Sequence, residues 1–151
     1  MQDSQNSVIR WLEEVAALAG IPAIFDDTGA VDIELVSGAP MRLELDDQAQ
    51  IMLMSADLFS VKAADRGACF ELAMRLNLEG QGTGGASLGW DAQREMLVLS
   101  ALTPTALLDE PSFLGVLSGF ISLVDEFRKG LPQPESIATS MTPASPMMFR
   151  A

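Results

Sequence analysis

Chemistry at a protein site needs nucleophiles, proton carriers or metal ligands, and this 151-residue chain offers few of them. It has no His and no Tyr, which removes Ser–His and Cys–His nucleophile pairs and imidazole metal ligands. Its single cysteine, Cys69, has no base near it in sequence, and Lys62 and Lys129 flank nothing that would build a pocket. Carboxylates are plentiful. Asp26–Asp27 and Asp46–Asp47 form pairs that would suit acid–base work or a hard cation, but both pairs fall among turn residues without a D-x-D-x-D-G loop. Gly80, Gly82 and Gly85 match the dinucleotide pattern G-x-G-x-x-G letter for letter. They follow an expected helix and open an expected strand, the reverse of what a pyrophosphate site requires, and no Lys-Ser/Thr pair follows to make a P-loop. No catalytic residue, metal site or cofactor is expected, and the chain reads as a non-enzyme.

What the chain does carry is apolar surface beyond the needs of one core. The stretch Arg66–Leu78, placed at 100° per residue, leaves Glu71 and Arg75 as its polar strip, with Phe70, Leu72, Met74, Leu76 and Leu78 spread around the rest. Such a helix needs cover on more than one side. Burial by its own chain is one solution; a second subunit is the other, and it is the expectation adopted, with Phe70, Leu72, Met74 and Leu76 at a homodimer interface.

In chain order, a first helix is expected over Ser4–Ala19, stopped by Gly20 and Pro22. Val8, Ile9, Trp11, Leu12, Val15, Ala16, Leu18 and Ala19 cover half its circumference, opposite Arg10, Glu13 and Glu14. That arc either packs wholly inside or offers one flank to a groove. Three strands follow, Val31–Val36, Met41–Asp46 and Gln50–Ser55, separated by turn residues, with a loop at 56–65. Met41, Leu43 and Leu45 alternate with Arg42, Glu44 and Asp46, so one face of that strand is dry and the other wet. In the third strand Ile51 and Leu53 point one way, Met52 and Met54 the other. Met either fills gaps in the core or gives an adaptable second surface. Ile9, Trp11, Leu12, Leu18, Met52 and Met54 form the expected partner-binding set.

After the glycine-rich turn comes a hairpin, Ala86–Asp91 and Met96–Leu102. Its second strand is apolar on both faces and is expected either in the middle of the sheet or at the subunit interface, with Leu97 and Leu99 assigned to the latter. Asp109, Glu110 and Pro111 then announce a last helix, Pro111–Lys129, which buries Phe113, Leu117, Phe120, Val124 and Phe127 and leaves Asp125 among residues on its polar arc. Residues 1–131 make one expected domain, and 132–151, rich in Pro, Ser, Thr and Met, a mobile tail.

Composition narrows the partners. Nine Lys and Arg against 21 Asp and Glu give a net charge of −12 at pH 7, which repels nucleic acid and anionic lipid and favours a basic protein segment. With no signal core and no long apolar run, a soluble cytoplasmic protein without membrane insertion is expected.

The order helix, three strands, helix, two strands, helix is an α+β pattern on an antiparallel twisted sheet. Over residues 4–130 the size, the acidity, this order and the segment LNLEGQGTGGASLGWDAQREMLVLSALTP resemble the small, acidic, dimeric chaperones of type III secretion effectors, the Tir-chaperone-like family. The resemblance implies a non-enzymatic homodimer in the bacterial cytoplasm, with its second helix at the dimer seam. It also implies a secreted effector as partner, bound through an extended N-terminal segment and kept secretion-competent, and admits the secretion ATPase as a further partner. The alternative is a small-molecule or regulatory binding module of similar α+β fold; a carboxylate-dependent hydrolase stands behind both.

Overall fold

In a computed structural model that describes residues 2–133, helix α1 (Gln2–Ala19) leads into strands β1 (Ala30–Glu34), β2 (Pro40–Asp46) and β3 (Ile51–Ser60). Helix α2 (Arg66–Asn77), strands β4 (Ser87–Asp91) and β5 (Met96–Pro104) and helix α3 (Glu110–Phe127) complete the order. The five strands form one antiparallel sheet in the order β1-β2-β3-β5-β4. This is the expected α+β architecture.

Local chemistry sets the helix ends. At the end of α1 the N–H of Ile21 reaches back to the carbonyl of Ala16 at 2.9 Å while Gly20 sits at φ 68°, a left-handed stop that glycine adopts without strain. Helix α3 starts where Asp109 accepts the N–H of Ser112 at 2.9 Å, with Pro111 in the first turn. The Ser112 hydroxyl, and then that backbone bond, hold the Asp109 carboxyl below its ordinary value.

The core lies between one face of the sheet and the helices. Alternation puts Val31, Met41, Leu43, Leu45, Met52, Met54, Leu97 and Leu99 on that face, all buried, against Val8, Trp11 and Leu12 of α1 and Phe113, Leu117, Phe120 and Val124 of α3. Trp11 packs on Phe113 with ring centroids 5.7 Å apart. The opposite face carries Asp32, Arg42, Glu44 and Asp57; Arg42 Nη1 lies 2.9 Å from Asp32 and its Nε 2.7 Å from Glu44.

Two expectations change. Strand β3 does not end at Ser55 but runs to Ser60, with a register shift between Asp57 and Phe59. Within the expected loop, Asp57 is an open-face strand residue whose charge Arg94 meets at 2.6 Å. Met52 and Met54 are fully buried core residues, so the gap-filling role is theirs. The second apolar face of β3 belongs to Ile51 and Leu53, in register with Pro104 and Leu102. The expected tail, apart from its first two residues, lies outside the described residues.

Candidate functional site

A sheet has two edges, and here they are treated differently. Along an edge strand of an antiparallel sheet, every second residue turns its N–H and C=O away from the ladder. On β4 that residue is Leu88, and the side chain of Asn77 at the end of α2 takes both groups. Asn77 Oδ1 accepts from the Leu88 N–H at 2.8 Å, and its Nδ2 donates to the Leu88 carbonyl at 2.9 Å. Two residues earlier, Ala86 donates its N–H to the Thr83 carbonyl at 3.1 Å and accepts the hydroxyl of buried Thr83. Gly82 allows the loop this close: a Cβ there would stand 2.6 Å from the Leu76 side chain and 3.0 Å from its backbone. At the far end of β4, Phe70 meets Trp90 edge to face at 5.1 Å, and the Arg66 guanidinium lies 5.1 Å from the same ring. On the β4 edge the outward groups of Ala86 and Leu88 are thus taken up by the chain itself, and side chains of α2 lie over the third outward position, Trp90.

The β1 edge is open. Ala30 is served by Asp26, whose Oδ1 accepts the Ala30 N–H at 3.0 Å and whose own N–H donates to the Ala30 carbonyl at 2.7 Å. The Thr28 hydroxyl, with the N–H groups of Ala30 and Thr28, holds this carboxyl below its ordinary value. The next outward positions, Asp32 and Glu34, have no hydrogen bond on that side among the described residues. Beside them, on the helix side of the sheet, runs an apolar groove of about 200 Å³ lined by Val15, Ala19, Ile33, Val36, Ile121 and Asp125, with Leu12, Met41 and Leu117 beneath. Val36 at its rim is 99% exposed.

The expected site residues divide accordingly. Leu12 lies beneath the groove, Ile9 is half-buried and Leu18 is 91% exposed on α1. Trp11, Met52 and Met54 are core and reach no surface that a partner touches without opening the fold. On α2, Leu76 faces inward and is buried, as are Leu97 and Leu99 on the interior strand β5. The reason is geometric: these side chains share the helix-covered face of the sheet or the inner side of α2. Phe70 and Leu72 are half-buried, while Met74 and the adjoining Leu78 are 72% and 70% exposed. One side of α2 thus covers its own sheet and the other is bare. Ile33, Val36, Ile121 and Asp125 were missed as groove residues. Alternation placed Ile33 on the right face, but nothing local marked where α1, β1 and α3 would part.

The acidic pairs sit at turns. Asp26 and Asp46 hold turns, Asp46 accepting the Ala49 N–H at 2.9 Å, and no cluster of three potential metal ligands occurs among the described residues. Burial, then the charge of Asp65, pushes the Cys69 thiol up, which leaves it a poor nucleophile. Among the described residues no helix is long and apolar enough to cross a membrane.

The fold is shared with several solved protein complexes. The ExsC–ExsE complex superposes with a TM-score of 0.67 at 18% identity, over 85% of this chain and 96% of that one. The HopA1–SchA chaperone–effector complex gives 0.64 at 18%, over 86% and 99%. The Yersinia pestis type III secretion chaperone SycH, bound to a fragment of YscM2, gives 0.60 at 15%, over 83% and 99%. At such identities these likenesses speak for the fold alone. No curated protein sequence matches the chain. The family assignment comes from the sequence itself, since the model of the Tir chaperone protein family matches residues 10–128, a span that includes the open edge, its groove and the bare side of α2. The chain belongs to the Tir chaperone protein (CesT) family.

Proposed function

We propose that this protein is a type III secretion chaperone that holds an extended N-terminal segment of a secreted effector along the β1 edge, keeping it soluble and secretion-competent in the bacterial cytoplasm. The observation that carries the proposal is the conjunction, within a CesT-family chain, of an unpaired strand edge at Asp32 and Glu34 with an apolar groove beside it. An added strand gains main-chain hydrogen bonds from such an edge and places every second side chain in the groove. Leu12 floors that contact, and Leu18 and Ile9 extend it along α1. The acidic surface, at net charge −12, favours clients with basic residues and makes association faster at low salt.

The protein acts as a homodimer, with Phe70, Leu72 and Met74 of α2 at the seam, and does no chemistry of its own. Large exposed apolar side chains on a helix that already covers its own sheet support that reading. Delivery of the client to the secretion ATPase is the step that binding prepares. The test is purification from the native cell, identification of the bound polypeptide, and titration of its synthetic N-terminal segment into wild type and Val36→Glu. Binding that Val36→Glu weakens at unchanged melting temperature supports the proposal. A copurified small molecule with no polypeptide contradicts it.

A further inference from the structure

We propose that the client strand meets β1 on both faces at once, with basic side chains on the open face opposite Asp32 and Glu34 and an apolar side chain between them in the groove. The inference rests on the reading that an extended segment pairs with β1, and it adds the order of residues that segment must carry.

The outward positions of β1 fix the frame. Asp32 and Glu34 turn their backbone groups to the free edge, and their side chains share the open face with Arg42, whereas Ile33 between them faces the helices and lines the groove. In an added antiparallel strand, the residues that exchange hydrogen bonds with Asp32 and Glu34 stand directly opposite them, Cα atoms about 5.5 Å apart, with side chains on the same face. The client residue between those two falls beside Ile33, over a groove whose exposed lining is almost wholly apolar. A slip of one residue would lay the charges on the apolar wall and turn the apolar side chain to water, so the two faces together hold the register.

Charge at the free edge is not balanced from within. Arg42 lies 2.9 Å from Asp32, but the same guanidinium serves Glu44 at 2.7 Å and stands 3.7 Å from Asp26. Glu34 is exposed, sits opposite Pro40 on β2 and has no ion pair among the described residues. Opposite charges directly across two strands favour pairing, and like charges oppose it. An open edge otherwise invites a second copy of the same chain. Pairing these positions among themselves, Asp32 with Asp32, Glu34 with Glu34 or Asp32 with Glu34, sets carboxylate against carboxylate. A segment with lysine or arginine at both positions meets the opposite charge instead, so Asp32 and Glu34 act as specificity determinants that admit a basic strand and turn away an acidic one.

The experiment uses short synthetic peptides of one alternating Thr/Val sequence that differ only at the two positions flanking the central Val: both lysine, both glutamine or both glutamate. Each is titrated into the full-length protein, into Glu34→Gln, and into Glu71→Gln, which removes the same charge from an exposed site on α2. Backbone amide shifts at positions 32 and 34 are the readout of edge pairing. On wild type the lysine peptide should bind about tenfold more tightly than the glutamate peptide, with glutamine between them. Glu34→Gln should reduce that preference to about threefold, and Glu71→Gln should leave it unchanged. If the lysine and glutamate peptides bind wild type equally, or if Glu71→Gln lowers the preference as much as Glu34→Gln does, the role of the open-face carboxylates falls while edge pairing stands. If no peptide shifts the β1 amides, the edge-pairing reading fails and this inference with it. If the same amides shift with protein concentration alone, the edge belongs to a second copy and the proposal is overturned.

Discussion

The two edges of the sheet set a problem that the chain solves in opposite ways. Unpaired edge strands invite association with other chains, and proteins ordinarily blunt them. At β4 two of the three outward positions are capped by hydrogen bonds, the Asn77 carboxamide standing in for a neighbouring strand at Leu88 and Thr83 doing the same at Ala86, while α2 packs Phe70 and Arg66 on Trp90. At β1 only Ala30 is covered, by Asp26, and the strand continues uncovered past Asp32 and Glu34 with an apolar groove at its side. The open edge, in a chain that caps much of its other edge with side-chain mimicry, is the one to which the proposed client strand adds. The second uncovered surface, the outer side of α2, lies on the element that does the closing, so protection of one edge and the dimer seam proposed above belong to the same helix.

The comparison can be broken at several places, beginning with the inner and outer sides of α2. Leu76→Glu buries a charge under the helix, should cost more than about 3 kcal/mol and should unfold the β4 side of the sheet. Met74→Glu, on the exposed side, should leave the monomer fold intact in circular dichroism but shift the protein from dimer to monomer in light scattering. Next come adjacent residues of β1. The N–H of Ile33 turns into the ladder toward Met41 and that of Glu34 turns outward. Ile33→Pro should therefore cost about 3 kcal/mol, whereas Glu34→Pro should cost less than about 1 kcal/mol and yet weaken client binding about tenfold or more, as read by melting and titration.

At the closed edge, Asn77→Ala strips both partners from Leu88. A loss of about 1–3 kcal/mol is expected, together with concentration-dependent association of the newly opened edge in sedimentation. The effect of pH is smaller. The Asp26, Asp91 and Asp109 carboxyls lie below their ordinary value in the folded chain, chiefly through side-chain hydrogen bonds to Thr28, Arg94 and Ser112. Their contribution is complete above the unfolded pKa of about 4 and is lost as pH falls through the lower folded values. The melting temperature should be level from neutrality to about pH 5 and fall below about pH 4, less steeply in Asp26→Asn. All three groups are solvent-accessible, so added salt should flatten the curve. Smallest of all, deletion of residues 133–151 should move the melting temperature by no more than about 2 °C and leave the dimer intact.

Much of the fold was legible because it rests on local rules. Asp109 and Pro111 marked the start of α3, its arc of Phe113, Leu117, Phe120, Val124 and Phe127 is buried throughout, and Met41, Leu43 and Leu45 alternate inward as their spacing required. The sites were less legible because they depend on which apolar face the tertiary structure covers. Periodicity showed that β3 and β5 are apolar on both faces, but not that Met52, Met54, Leu97 and Leu99 would take the helix side, leaving Ile51, Leu53 and Leu102 on the other. Trp11 was misplaced for the same reason: α3 brings Phe113 against it, a contact 102 positions away in sequence. Asn77 and Asp125 carried no local signal, since an Asn at a helix end and an Asp on a polar arc are ordinary until the strand or groove beside them is known.

The central claim is that β1, not β4, is the edge that receives the client, and hydrogen exchange at single amides tests it most directly. In the free protein the Asp32 and Glu34 amides should exchange quickly while the Leu88 amide, held by Asn77, exchanges slowly. Saturation with the client's N-terminal segment should protect Asp32 and Glu34 and leave Leu88 unchanged. Protection that appears elsewhere while Asp32 and Glu34 keep exchanging at their free rates would contradict the account.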